Sequence, residues 1–432
     1  MARSRKRNLA GFLGELLRRK NDVRGSSAML KRMRHIPTVR RGIDLNISRV
    51  ELETPAFVYD ERIIDRSLRF ADRLRIAGNC SVLFAVKSFS FIDVLRLMGT
   101  RLDGFAVSSL FEARLAHEAL DGKGSVHLTT PGIRPAELDD IASLCDYVTF
   151  NSLSQWDKYH DRVSPNARCG LRVNPKMSFI RDDRYDPCRP HSKLGVPIQD
   201  VVSTVTHEPD RLMGLQGIHI HSNCDSMDLR ELRATVQHLQ DQLGGLLKRV
   251  DWINLGGGYV FDFPESLEVM SEIVGSLESR FGLQVFLEPG AAFCREAGYI
   301  VSTVLDVFES DGKTIAVLDT TVNHMSEVFE YGFEPDVLGH DENSPHEYLL
   351  AGCTCLAGDL FGAYRFQAPL DVGSRVVFCN AGAYTLSKAH MFNGINLPSI
   401  YALTQAGELV LQKRFTYADF AGRWGSDGHG PS

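Results

Sequence analysis

Four features of this 432-residue sequence could act together on one aldehyde coenzyme, and each closes a short apolar run. Lys87 follows Val82-Leu83-Phe84-Ala85-Val86, and its amine can form a Schiff base with an aldehyde. His221 ends Ile218-His219-Ile220-His221, and an imidazole there can stack on a flat ring. Gly256-Gly257-Gly258 follows Trp252-Ile253-Asn254-Leu255, and glycines let backbone N–H groups come close to a phosphate. Glu288, with Pro289 and Gly290, ends Val285-Phe286-Leu287, and a carboxylate against a pyridine nitrogen keeps that nitrogen protonated. Alone, each has a plainer reading: a surface lysine, a tight turn, a polar loop. His219 and His221 share a strand face and could pair on a metal, but no carboxylate or third histidine has a helpful spacing, so no metal is expected.

The elements that must position these groups strengthen the case. Further apolar runs stand at Gly104–Ser108, Val126–Thr129, Tyr147–Phe150 and Gly170–Val173, which makes eight in about 210 residues. Near-continuous apolar runs suit parallel strands covered on both faces. Helical periodicity lies between them, at Phe111–Ala116, Leu229–Leu247 and Ser266–Phe281. Eight alternations predict a (β/α)₈ barrel rather than a doubly wound sheet. In such a barrel the C-terminal strand ends share one mouth, so the lysine, histidine, glycines and glutamate would face each other. That set fits pyridoxal 5'-phosphate, an electron sink that stabilises a carbanion.

After residue 290 the pattern changes to strands without intervening helices: Tyr299–Val307, Thr314–Asp319 and Arg375–Cys379. They predict a C-terminal antiparallel β-sandwich or barrel, which the early strand Ala56–Tyr59 would join. The expected division is a basic extension at 1–45, an N-terminal strand segment at 46–62, the coenzyme-binding barrel at 63–290 and the β domain at 291–432.

Charge and composition bound the remaining readings. Residues 1–45 carry +10 and the rest −16, giving a net −6. The basic segment, with an apolar spacing at Leu9, Phe12, Leu13, Leu16 and Leu17, reads as a solvated tail; contact with an acidic partner or a start codon set too far upstream are the sharper alternatives. No run of about 18 apolar residues predicts a membrane span, and no signal-peptide core is evident. Nine cysteines in no metal or disulfide spacing suit a reducing, cytoplasmic setting. Neither a nucleic-acid nor a membrane partner is expected.

From about Thr54 to Tyr401 the chain resembles the fold-type III pyridoxal-phosphate decarboxylases, the group with the alanine-racemase-like barrel that includes diaminopimelate and ornithine decarboxylases. It is most similar to their carboxynorspermidine decarboxylase branch. Phe84-Ala85-Val86-Lys87-Ser88 resembles the Schiff-base lysine motif, and Ser108-Ser109-Leu110-Phe111-Glu112 the segment after the second strand. Tyr185-Asp186-Pro187-Cys188, Ser192-Lys193-Leu194-Gly195 and Asn323–Tyr331 resemble stretches of that branch. The resemblance places His221 at the ring-stacking position, Gly256, Gly257, Gly258 and Gly290 around the coenzyme, and Glu288 at its ring nitrogen. Cys353-Thr354-Cys355-Leu356-Ala357-Gly358-Asp359 resembles a segment in which the cysteine, here Cys355, protonates the carbanion and the aspartate, here Asp359, contacts substrate. Both would reach the partner's barrel, which implies a homodimer with active sites at the interface. Ala383-Tyr384-Thr385 resembles the phosphate-contacting tyrosine motif, and Phe392-Asn393-Gly394 follows it. Two departures stand out: Ala291 where ornithine and diaminopimelate decarboxylases carry an arginine, and Cys224, a coenzyme-side candidate, where ornithine-type enzymes often have serine.

The resemblance implies loss of an α-carboxylate from an amino-acid-type substrate, with Lys87, His221, Glu288 and Cys355 as catalytic residues. The branch suggests carboxynorspermidine or carboxyspermidine, in polyamine biosynthesis. Glu327, Glu330 and Asp359 are candidates for a polycation's amines. Diaminopimelate, ornithine or a specialised-metabolite precursor are the alternatives in this class. An amino-acid racemase of the same fold would use a tyrosine acid/base and an arginine at the ring nitrogen, which Glu288 disfavours. A binding homologue without activity would lack Lys87 or Cys355, and both are present.

Overall fold

The computed structural model describes residues 52–180, 182–259 and 264–426. The basic extension at 1–45 and the apolar spacing around Leu9 lie outside them. Strand β1 (Ala56–Asp60) leads directly into α1 (Glu61–Gly78), whose N-terminus Asp60 caps by accepting from the Arg62 amide at 2.9 Å. Asn79, in the left-handed conformation, ends that helix.

The barrel follows. Its strands are β2 (Ser81–Ala85), β3 (Gly104–Val107), β4 (Ser125–Thr129), β5 (Tyr147–Phe150), β6 (Arg168–Asn174), β8 (Gly217–His219), β9 (Trp252–Asn254) and β10 (Gln284–Leu287). Each pairs in parallel with the next, and β10 returns to β2 through Phe286↔Ser81 and Leu287↔Val82, so the ring closes. A two-residue strand, β7 (Val196–Pro197), extends β6 outside the ring. All eight apolar runs are therefore barrel strands. Helices α2 (Ile92–Gly99), α3 (Leu110–Leu120), α4 (Leu138–Leu144), α5 (Leu153–Val163), α6 (Ile198–His207), α7 (Leu229–Leu247) and α8 (Pro264–Phe281) surround them. The start of α3 is fixed reciprocally: Ser109 Oγ accepts from the Glu112 amide at 3.2 Å, and the Glu112 carboxylate accepts from the Ser108 amide at 2.7 Å.

Large side chains fill the barrel floor. Trp252 occupies space left by Gly170 and Gly217; a Cβ at Gly217 would lie 2.0 Å from its ring. His127 stacks on Tyr147 at 4.0 Å, and Phe286 packs edge-on to both. Burying rings of this size contributes roughly 1.5–3 kcal/mol each. This plug closes the floor.

The second domain is one sheet in the order β14-β13-β12-β11-β1-β16-β17, with β15 also on β11. Its strands are β11 (Gly298–Ser310), β12 (Lys313–Leu318), β13 (His346–Ala351), β14 (Leu360–Phe366), β15 (Arg375–Phe378), β16 (Ser399–Leu403) and β17 (Leu409–Lys413). As expected, β1 joins it. Most of its pairings are antiparallel, as expected, but β1 runs parallel to β16, and β12 parallel to β13. The second of these pairings needs a long crossover, and residues 319–345 supply it, with helix α10 (Glu327–Tyr331) inside. Short antiparallel hairpins would not have carried Glu327 away from the sheet.

The side chains of β1 alternate. Ala56 and Val58 pack with Tyr299, Val301 and Tyr401 on one face. On the other, Phe57 and Tyr59 meet Phe89 edge-on, with centroids 5.3 and 5.9 Å apart. Phe89 caps the turn that carries Lys87, so the two domains are joined at that lysine. Among the described residues, no helix is long and apolar enough to cross a membrane.

Candidate active site

The C-terminal ends of the barrel strands open into a cavity of about 1460 Å³, closed on one side by the second domain. Lys87, His219, His221, Cys224, Glu288, Glu327 and Tyr384 all line it. Lys87 lies just beyond β2, in a single 3₁₀ turn (Val86–Ser88), between two buried neighbours. Its own side chain is exposed to the cavity. Ser88 Oγ holds the turn by donating to the Ala85 carbonyl at 2.7 Å.

Glu288 follows β10, the strand paired with β2. Asn254 Nδ2 donates to Glu288 Oε1 at 2.6 Å, and His219 Nε2 lies 3.2 Å from Oε2. Burial opposes ionisation of this carboxyl, but its contact with His219, then the Lys87 charge, holds it below the ordinary carboxylate range. Burial lowers His219, against the pull of the Glu288 carboxylate that its Nε2 faces. Arg172, buried on β6, lines the same end.

Asn254 does a second job. Its Oδ1 accepts from the Gly256 amide at 2.8 Å, and the Gly257 amide donates to His221 Nδ1 at 3.2 Å. Two of the three glycine amides expected to meet a phosphate are therefore used inside the protein. The glycines are required by crowding. Added Cβ atoms at 256, 257 and 258 would lie 2.4, 2.2 and 2.1 Å from the carbonyl oxygens of Ile220, Glu288 and Asn223. Gly256 and Gly258 also have φ of 71° and 85°. Gly290 is likewise tight, with Ser88 Oγ 2.9 Å from an added Cβ. Burial, then the charges of Lys87 and Arg172, hold His221 well below the usual histidine range. A neutral ring accepting at Nδ1 has a fixed orientation.

The second domain contributes Tyr384, at φ 58°, whose amide donates to the Ser88 carbonyl at 2.8 Å. Glu327 lines the cavity, whereas Glu330 is exposed outside it. Lys388 Nζ bridges them, at 3.1 and 3.2 Å. Burial raises the Glu327 carboxyl, against the pull of Lys388. Lys388 stays above the ordinary lysine value, because the two carboxylates outweigh its own burial.

The two residues expected to reach a partner's barrel lie outside this cavity. Cys355 is the one exposed thiol of nine, lies outside this cavity, and its amide donates to Asn393 Oδ1 at 2.9 Å. Asp359 is 3% exposed and also outside the cavity. Its oxygens accept from the Val322 amide at 2.8 Å, the Thr354 amide at 3.0 Å and Thr354 Oγ1 at 2.5 Å. Its carboxylate thus holds the Cys355 loop.

Asn254, Arg172 and Lys388 were not singled out from the sequence. The first two had a signal: a polar residue inside an otherwise apolar strand. Lys388 had none, because its partners are 61 and 58 residues away.

The sequence family described as "Pyridoxal-dependent decarboxylase, pyridoxal binding domain" matches residues 61–295. The chain is 34% identical over 380 residues to a carboxyaminopropylagmatine decarboxylase of a Synechocystis species, covering 87% of this chain and 96% of that one. It is 32% identical to a carboxynorspermidine/carboxyspermidine decarboxylase of Herminiimonas arsenicoxydans, covering 85% and 98%. A crystal structure of carboxynorspermidine decarboxylase complexed with norspermidine, from Campylobacter jejuni, superposes with a TM-score of 0.79 at 29% identity, covering 86% and 100%.

Proposed function

The chain belongs to the pyridoxal-dependent decarboxylases, and from that membership we propose that it removes CO₂ from the amino-acid end of a carboxylated polyamine, of the carboxynorspermidine or carboxyspermidine type. The observation that carries this reading is the Glu288 carboxyl, held by Asn254 and His219, in one cavity with Lys87.

The residues fit pyridoxal phosphate. The cavity offers an amine at Lys87, a carboxylate at Glu288 and a flat neutral ring at His221. Its glycine turn has no room for any side chain. When bound, the coenzyme supplies an electron sink for the charge left by loss of CO₂. Lys87 would hold the coenzyme, and Glu288 would keep a proton on the ring nitrogen. His221 would lie against the ring, its plane set by the Gly257 amide. Such groups need no reorganisation during reaction, which is the main source of electrostatic catalysis.

Glu327, bridged to Lys388, is the acidic group best placed for a distal amine of the substrate. The names of the relatives support a substrate with a cationic tail, and an agmatine-type tail is the nearest alternative. Cys355, exposed and away from its own chain's cavity, suits proton delivery to a partner subunit's site in a homodimer. In this reading Asp359 is a positioning residue for that loop. Nine unpaired thiols support a cytoplasmic setting.

The test is CO₂ release from carboxyl-labelled carboxynorspermidine, carboxyspermidine, carboxyaminopropylagmatine, diaminopimelate, ornithine, lysine and arginine. The reading expects the carboxylated polyamines to give the largest kcat/KM. Preference for diaminopimelate or ornithine would replace the substrate, and retained label with inverted stereochemistry would replace the reaction.

A further inference from the structure

Position 291 holds alanine, so that site cannot supply a fixed cation to the cavity. One helical turn later the chain carries Arg295, after the short helix α9 (Ala291–Cys294). Its side chain turns back and lines the cavity beside Cys224, Asp225 and Tyr384. Arg295 Nη2 lies 2.5 Å from Asp225 Oδ2, with the two side chains 24% and 29% exposed. Burial works against the guanidinium's charge, but the Asp225 carboxylate more than offsets it, so the group stays a cation.

Asp225 is itself tied to the glycine turn. It sits at φ 53° between two residues that touch Gly258. The Cys224 Cα would be 3.2 Å from a Cβ there, and the Ser226 amide donates to the Gly258 carbonyl at 2.9 Å. On the other side Tyr384 hangs from Ser88, next to Lys87. Arg295 therefore stands between the glycine turn and Tyr384. Three other cations of the lining have other work. Arg172 is at the Glu288 end, Lys388 is held by Glu327 and Glu330, and Arg184 is paired with Asp182. Arg189 and Lys193 lie in the segment between β6 and β7. A phosphate monoester carries about −1.5 to −2 near neutral pH, and the amides and hydroxyl at this end are neutral.

We infer that Arg295 is the cation that receives the phosphate group of the coenzyme, with Asp225 as the residue that positions it. This rests on the coenzyme reading above. One of the five donors of the guanidinium is on Asp225, which leaves the fork free to meet phosphate oxygens. The alternative occupant, a substrate carboxylate, is a weaker match for a cation set between a glycine turn and a tyrosine.

The experiment titrates coenzyme-free wild-type, Arg295→Gln and Arg295→Lys proteins with pyridoxal 5'-phosphate and, separately, with pyridoxal. It follows the absorbance band near the visible edge, with the thermal midpoint as a check on folding. Loss of a charged hydrogen bond is worth about 1.5–3 kcal/mol, so Arg295→Gln is expected to raise the Kd for pyridoxal phosphate about 10- to 100-fold. Its Kd for pyridoxal should be unchanged, and Arg295→Lys should recover part of the loss. Equal weakening for both aldehydes would make Arg295 a loop support and overturn the inference, as would no change in either. If the single variant folds poorly, the pair Asp225→Asn with Arg295→Gln leaves no orphan carboxylate and is expected to show the same loss of phosphate preference. A wild-type protein that binds neither aldehyde would overturn the coenzyme reading itself, an outcome distinct from an unchanged Arg295→Gln.

Discussion

Asn254 joins Glu288 to the glycine turn: its Nδ2 lies 2.6 Å from Glu288 Oε1 while its Oδ1 accepts the Gly256 amide at 2.8 Å. One buried amide thus sets both the carboxylate and the loop that follows β9. Replacing Asn254 with Ala removes both contacts at once. Unfolding should become easier by about 1–3 kcal/mol, the cost of a buried group left unsatisfied. Turnover should fall more than stability alone explains. Thermal melts beside steady-state kinetics of Asn254→Ala and Asn254→Asp check this; a variant with wild-type kcat would remove Asn254 from the site.

Glu288→Gln preserves size and removes charge. With its negative charge gone, nothing in the cavity holds a proton on a ring nitrogen placed there. Turnover is expected to drop about 10²- to 10³-fold, the scale of lost electrostatic preorganisation, while the coenzyme's absorbance band persists. Full activity in Glu288→Gln would show that the carboxylate is not needed.

Stability should fall in acid before the carboxylates titrate. His127 and His324 are 3% and 0% exposed, and burial pushes each from 6.5 down to about 3. The unfolded chain binds these protons near pH 6.5 and the folded chain does not, so folding is favoured above 6.5 and loses ground as pH falls toward 3. Each histidine contributes a slope of about 1.4 kcal/mol per pH unit in that window. Urea unfolding at pH 7.5 and 5.5 measures it; equal stability at the two values would mean that the rings are already charged in the fold.

Lys388 competes with any polycation for Glu327 and Glu330. Lys388→Met should lower KM for a long, multiply charged substrate, by an amount worth about 1 kcal/mol or less because the pair is partly solvated. A short substrate without a distal amine should be unaffected. A rise in KM for the polyamine substrate would instead make Lys388 a substrate contact.

Cys355 lies outside the cavity of its own chain. Lys87→Ala and Cys355→Ala should each be folded and nearly inactive. Mixed after mild dissociation, they should regain about a quarter of the sites if two symmetric subunits share each site. No regain, with heterodimers demonstrated, would place Cys355 in its own chain's chemistry or in none.

The barrel was legible because its strands are covered on both faces, so each reads as a short apolar run. Lys87, His221, Glu288 and the glycines were legible because they sit where those runs stop. What was hidden depends on contacts distant in sequence. Asn254 looked like one polar residue in a strand until its two partners, on β10 and in the glycine turn, were in place. The parallel β12–β13 pair, and hence the position of Glu327, depends on a crossover that no periodicity encodes. That Asp359 also holds the Cys355 loop, through Val322 and Thr354, depends on contacts its motif does not encode. Arg295 had no signal, because the carboxylate that holds it, Asp225, is 70 residues away.

The central claim is that the side-chain amine of Lys87 carries the coenzyme opposite Glu288. Borohydride reduction of the coenzyme-loaded protein, followed by proteolysis and mass mapping, reads it directly. The expected result is a single pyridoxyl adduct on the peptide containing Lys87, absent from Lys87→Ala. An adduct on another lysine, or none in a protein that still releases CO₂, would contradict it.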